Sequence, residues 1–273
     1  MQWVLQPLED TQKLAAALTA LGLPFTWHKV IPFVGDLVPE PTIRDPHAVV
    51  LFGAYALWRY AERRRLRPGV FKIRPFVHEP AWQASLLNGP GARFMRLDEV
   101  PGRLTGGDGE GDGDDGPDDA WFVRPVDDSK ALPGGVRTVA EIRAMAVRVL
   151  ALDPGEIPDG TLRPDTALML TPPARIAQEW RVWVVEDRIV TASLYRQGRR
   201  VVYRPGIDAD ARAFAETLVA ANPGYAPAYV MDVCRTAAGL RLVETNCVNA
   251  AGFYAADLIP LAAAIDALGL AAA

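Results

Sequence analysis

Three histidines and two cysteines are all the imidazole and thiol groups that this chain of 273 residues offers. His28, His47 and His78 are scattered and suggest neither a metal set nor a catalytic triad. Cys234 and Cys247 are too few for a disulfide framework and read as buried free thiols, unless they face each other and pair. Cys247 in particular reads as core packing, not as a nucleophile. There is no basic excess: 29 Lys and Arg stand against 33 Asp and Glu, a net charge of -4. Duplex nucleic acid and anionic membrane surfaces need a basic footprint and are not expected partners. No apolar run is long enough to span a bilayer. The opening stretch MQWVLQP lacks the basic and apolar regions of a secretory signal, so a reducing, cytoplasmic setting is the expectation. Two nucleotide motifs are also missing. GxxxxGK[ST] does not occur, and no GxGxxG follows the first strand, so neither a P-loop nor a Rossmann dinucleotide site is supported.

What is present is apolar substance and alternation. Half of the residues are hydrophobic, enough to bury a sizeable core. WVLQP (3–7) reads as a buried strand, Thr11 to Leu21 as an amphipathic helix, AVVLFG (48–53) as a second strand and residues 55–66 as a helix behind it. This alternation implies a small α/β lobe with parallel strands. Residues 106–119, GGDGEGDGDDGPDD, are glycine and acid without an apolar residue and cannot pack. Asp108, Glu110, Asp112, Gly113 and Asp119 fall at the offsets of a calcium loop, but no amphipathic helices flank them. A flexible insertion or linker is the expectation there. Downstream, AWFVRP (120–125) reads as a strand, 139–152 as a helix and ALMLTPP (167–173) as a strand stopped by prolines. Residues 179–196 read as a hairpin turning at Glu186 to Arg188. A helix over 208–221, a hairpin over 226–246 and a helix over 257–268 complete the chain, an antiparallel-rich α+β half unlike the first.

The chemistry concentrates in three places. With the last hairpin turning near Ala238, Asp232 lies opposite Glu244, and Glu244 shares a strand face with Asn246. Opposed carboxylates repel, and a cation between them removes that cost. Oxygen donors without imidazole or thiolate favour Mg²⁺. The spacing alone favours an ordinary polar hairpin face over a metal site. Second, Arg124 ends an apolar strand and Lys130 sits in the polar loop that follows, closed by Gly134-Gly135. Such a loop either cradles phosphates or carries a salt-bridged surface lysine. Third, Glu179 and Arg181 share a strand face with Trp183, while Trp180, Val182 and Val184 face the other way. That Glu-x-Arg pair is either a simple ion pair or a pair directed into a nucleotide cleft.

Taken in order, WFVRPVDDSKALPGG, EWRVWVVEDRIV and YVMDVCRTAAGLRLVETNCVNAAGFYAADL resemble the ATP-grasp superfamily, and its two-arginine-one-lysine clade in particular. The resemblance covers roughly residues 120–268, and more weakly the segment before it. It implies an α+β ATP-grasp fold with a small N-terminal α/β (pre-ATP-grasp) lobe, arranged as a lobe over 1–105, an insertion over 106–119 and an ATP-grasp domain over 120–273. By the same resemblance, ATP and Mg²⁺ are the cofactors. Arg124 and Lys130 would contact ATP phosphates. Leu168, Met169, Leu170 and Thr171 would accept adenine through their backbone. Glu179 would orient the nucleotide or the lysine, and Arg181 would stabilise the transferred phosphoryl group, with Arg181 and Lys130 as the catalytic pair. Asp232, Glu244 and Asn246 would hold Mg²⁺, and Asn249 would complete the acceptor end. The implied activity is an ATP-dependent ligase that joins a small-molecule or peptide carboxylate to an amine acceptor through an acylphosphate. An ATP-grasp kinase, a non-catalytic nucleotide-binding module and a partner-binding protein remain alternatives. The GFY segment departs from the ending of many larger ATP-grasp ligases, so their substrate rules do not carry over.

Overall fold

A computed structural model describes residues 1–31, 34–89, 91–104, 119–158 and 160–271, with side chains as far as 268. The expected Gly/Asp insertion and its calcium-loop offsets therefore lie outside the described residues, Asp119 excepted. Contacts group the chain into two units: Met1–Trp82 with Ile176–Ala273, and Gln83–Arg175. This division differs from the expected boundaries near 105 and 120, because the last strands of the chain share a core with the first.

The first unit holds two larger sheets. One is parallel, in the order Phe25–Trp27, Gln2–Leu5, Val49–Phe52 and Pro68–Gly69. Apart from Gln2, its central strands are apolar and buried, as a parallel sheet covered by helices requires. The helix Glu9–Ala20 starts with two acids near its positive end, and Thr11 Oγ1 accepts from Leu8 N at 2.9 Å. The second sheet is antiparallel, in the order Arg200–Pro205, Arg188–Gln197, Gln178–Val185, Ala228–Thr236 and Gly239–Asn246. Its first hairpin turns on Glu186 and Asp187, both left-handed at φ 47° and 54°, which matches the twist of the flanking strands.

Along each central strand of this sheet one face changes character. Trp183, Val185, Ala228 and Val230 join Trp3, Leu5 and Phe52 of the parallel sheet and Leu261 and Ile265 of the helix Leu258–Ala271 in a single core. Residues further along the same face are polar, and they form the cluster described below. Asp266 ties the end of the chain to its beginning, accepting from Trp3 Nε1 at 2.9 Å and pairing with the Met1 amine at 3.2 Å. On the opposite face Tyr229 is fully buried, and its hydroxyl has no hydrogen-bond partner among the described residues. A buried hydroxyl without a partner costs about 1–3 kcal/mol. Tyr229→Phe is therefore expected to raise stability by about 1 kcal/mol, read as an upward shift of the urea midpoint with an unchanged slope. A lower midpoint would show that the hydroxyl is satisfied.

The second unit is an antiparallel sheet ordered Arg93–Arg96, Ala167–Thr171, Ala120–Pro125 and Gly135–Thr138. The helix Val139–Leu150 packs on it through Val139, Ile142 and Ala146 against Val123, Leu168 and Leu170. That helix begins where Thr138 and Glu141 cap each other: Glu141 N donates to Thr138 Oγ1 at 3.2 Å, and Thr138 N to Glu141 Oε2 at 2.9 Å.

Candidate active site

Strand pairing brings Glu179, Arg181, Asp232, Glu244 and Asn246 onto one face of the antiparallel sheet. Arg181 lies directly opposite Asp232, and Asp232 opposite Glu244. The second pairing depends on a feature absent from the simple hairpin reading. The turn sits on Ala237 and Ala238, slightly before the expected centre, and a bulge between Asp232 and Val233 restores the register. Asn246 Nδ2 donates to Glu244 Oε1 at 2.9 Å, which places the two on the same face.

Arg181 does not pair with Glu179, its strand neighbour. Its guanidinium grips Asp232 bidentately, Nε to Oδ1 at 2.9 Å and Nη2 to Oδ2 at 2.7 Å, and Nη1 donates to Gly252 O at 3.3 Å. Both side chains are buried. Burial lowers the basicity of Arg181, but the Asp232 charge and hydrogen bonds outweigh it and hold the guanidinium above its ordinary value. Glu179 faces Arg196 at 3.6 Å. Burial, then the charge of Asp232, push its carboxyl from 4.5 up to about 7, against the pull of Tyr195 and Arg196. Between those two values the folded chain holds a proton that the unfolded chain releases. This group therefore makes stability fall as pH rises through that window.

Three tyrosines that the sequence reading passed over complete the cluster. Tyr195 hydrogen-bonds Glu179 and reaches Asp232 Oδ2 at 3.5 Å. Tyr254 covers Arg181 at 4.8 Å and stacks between Tyr195, at 4.7 Å, and Tyr203, at 5.3 Å. Its backbone is left-handed at φ 52°, a conformation that a side-chain-bearing residue keeps only where its surroundings hold it. Strand alternation from Arg181 across to Ser193 could have pointed to Tyr195. Nothing in the sequence pattern predicted the stack on Tyr254.

Asp232, Glu244 and Asn246 fit a hard cation. Asp232 is completely buried, and a contact with the Glu244 carboxyl helps to raise its pKa, after burial and against Arg181. Two neighbouring carboxyls and an amide oxygen are a donor set suited to Mg²⁺ that also meets phosphate oxygens. Among the described residues no group of three or more His, Cys, Asp and Glu is placed to hold a metal, so this set would be an open one. Asn249 does not join it. Its Oδ1 accepts from Phe71 N at 2.8 Å and its Nδ2 donates to Leu51 O at 2.7 Å, which ties the amide to the strand Val49–Phe52 and to the segment after Pro68–Gly69. Cys234 and Cys247 are free and buried. Cys234 faces the cluster, and burial, then Glu179, push its thiol up to about 12, out of reach of thiolate chemistry.

In the second unit, Arg124 is buried at the end of Ala120–Pro125, and its Nε donates to Pro125 O at 3.2 Å. Lys130 sits in the loop that follows, left-handed at φ 58° and paired with Asp128. Leu168, Met169 and Leu170 are paired through strands on both sides, and Thr171 on one side only. Among the described residues the pairing with Arg93–Arg96 therefore stops before the Thr171 end of that strand.

The parallel and antiparallel sheets with their helices, and this polar face, agree with an ATP-grasp protein. More particularly, the chain belongs to the third ATP-grasp domain family of the two-arginine-one-lysine clade, whose family model matches residues 56–268. Among solved structures it resembles the D-cycloserine synthetase DcsG, at 14% identity over 98% of this chain and 100% of that one, with a TM-score of 0.59. It is also similar to the ATP-grasp ligase PsnB complexed with a minimal precursor, at 16% identity over 97% and 98%, with a TM-score of 0.53. D-alanine–D-alanine ligase from Bacillus anthracis is similar at 11% identity over 98% and 91%, with a TM-score of 0.52. At these identities the likeness speaks for the fold. A comparison with curated proteins found no match. Among the described residues no helix is long and apolar enough to cross a membrane.

Proposed function

We propose that the chain is an ATP-dependent ligase that activates a carboxylate as an acylphosphate and passes the acyl group to an amine or a related nucleophile. The observation that carries this reading is Arg181. It is buried, fixed by Asp232, and uses three of its five N–H donors in the hydrogen bonds given above. Two N–H groups remain to meet a phosphoryl oxygen. Fixed donors aimed at developing charge, without covalent participation by the protein, are what phosphoryl transfer requires. The neighbours support the reading by name, since DcsG is a synthetase and PsnB and the D-alanine enzyme are ligases.

In this reading a carboxylate oxygen attacks the γ-phosphorus, the bond to the β–γ bridging oxygen breaks, and ADP leaves. The amine then attacks the acyl carbon and phosphate departs, with the amine proton passing to solvent. Arg181 steadies the transferred group, and Arg124 and Lys130 neutralise phosphate charge. Glu179 orients the nucleotide or the lysine, and the Thr171 end of the Leu168–Thr171 strand takes the adenine edge. Asp232, Glu244 and Asn246 would hold Mg²⁺, which supplies charge neutralisation on the phosphate oxygens. The substrates would be a small-molecule or peptide carboxylate and an amine.

Lys130→Ala is expected to weaken Mg-ATP binding about tenfold or more, the worth of one charge-assisted contact, measured by titration calorimetry. Unchanged affinity would remove Lys130 from the phosphate site. Trapping with hydroxylamine tests the reaction itself. A carboxylate that stimulates ADP release should yield its hydroxamate, whereas stimulated ADP release with no hydroxamate would point to a kinase.

A further inference from the structure

The strand Arg200–Pro205 is the outer edge of the antiparallel sheet. It pairs with Arg188–Gln197 on one side and with no strand on the other among the described residues. Edge strands are usually blunted or covered, but this one displays apolar side chains: Val201 is 69% and Tyr203 58% exposed. Beside them Arg199, Arg200 and Arg204 are exposed and make no ion pair among the described residues. The edge is thus basic in a chain whose net charge is -4. It is also joined to the site, because Tyr203 stacks on Tyr254 at 5.3 Å and Tyr254 covers Arg181 at 4.8 Å.

We propose that this edge docks an extended acidic polypeptide segment, which adds a strand beside Arg200–Pro205 and offers one of its carboxylates as the ligase substrate. An added strand satisfies the open backbone groups, and the exposed side chains select its sequence. The arginines determine the sign of the partner. A second copy of this chain in the same place would set arginine against arginine, which repels, whereas Glu or Asp side chains are drawn to them. Val201 and Tyr203 lie on the sheet face that carries Arg181, since Val201 pairs with Arg196 and Pro205 with Ser193, the partner of Arg181. Strand alternation then sends every second side chain of the added segment to that face. The substrate role rests on the ligase reading; the docking does not.

The test uses a short fluorescent peptide of alternating Glu and Val, with Gln-Val and Lys-Val peptides of equal length and an oligothymidylate as controls, read by anisotropy on the full chain. The Glu-Val peptide should bind, lose affinity at about 0.5 M salt and exceed both control peptides by about tenfold. R200E/R204E, and separately V201E, should lower its affinity about tenfold while Mg-ATP affinity stays at the wild-type value. Equal binding of the three peptides, unchanged binding in both variants, or equally tight binding of the oligothymidylate would each overturn the docking proposal. Peptide binding that follows this pattern in a protein unable to bind Mg-ATP would uphold the docking and refute the ligase reading.

Discussion

Arg181→Ala should unfold at markedly lower urea than wild type and should lose ATP turnover with a carboxylate acceptor. Its partner, Asp232, is completely buried, and removing the guanidinium strands a carboxylate in the interior. Breaking one side of a buried pair costs about 3–5 kcal/mol, a large share of a domain's net stability. The two effects separate in further variants. Arg181→Lys keeps a positive charge but cannot reproduce the two-pronged contact at 2.9 and 2.7 Å. It should recover part of the stability and little of the rate. Arg181→Met with Asp232→Leu removes both charges and should melt close to wild type while remaining inactive. A single Arg181→Ala variant that melts like wild type would show that Asp232 is neutral or solvated, and the electrostatic account of the cluster would fail.

Much of this cluster is legible in the sequence because strand geometry is periodic. The alternation of Trp180, Val182 and Val184 with Glu179, Arg181 and Trp183 assigns faces without a structure, and the turn after Thr236 brings Asp232 near Glu244. What the sequence leaves open is pairing across long separations. Arg181 meets Asp232, not Glu179, because Gln178–Val185 lies beside Ala228–Thr236, and no local pattern states that neighbourhood. The bulge at Asp232 and Val233 is likewise a local compromise between turn and register. Asn249, which the family resemblance puts at the acceptor end, has its amide bonded to Phe71 and Leu51, contacts across long separations that no local pattern states, because buried polar groups must be satisfied somewhere. The order of units was illegible for a related reason: Gln83–Arg175 interrupts a unit whose first and last segments share one core.

Glu244→Ala should leave the fold intact and abolish Mg-dependent ATP turnover. Unlike Asp232, Glu244 is only half-buried, so its truncation strands no interior charge, and the urea midpoint should stay near the wild-type value. Its removal subtracts one of two neighbouring carboxyls and leaves Asp232, already gripped by Arg181, with Asn246. That remainder offers a divalent cation one carboxylate in a competing ion pair and one neutral amide, far less than Mg²⁺ demands. Losing the charge neutralisation on the phosphates costs several kcal/mol of barrier, a rate loss of about a thousandfold or more. Calorimetry of ATP with and without Mg²⁺ isolates the cause. Wild type should bind ATP more tightly with Mg²⁺ present, and the variant should bind equally with and without it. Glu244→Gln keeps an oxygen donor but not the charge and should fall between the two in metal dependence. If Glu244→Ala kept both Mg-dependent binding and turnover, the cation would be held elsewhere, and the contact between Asp232 and Glu244 would be a feature of the hairpin alone.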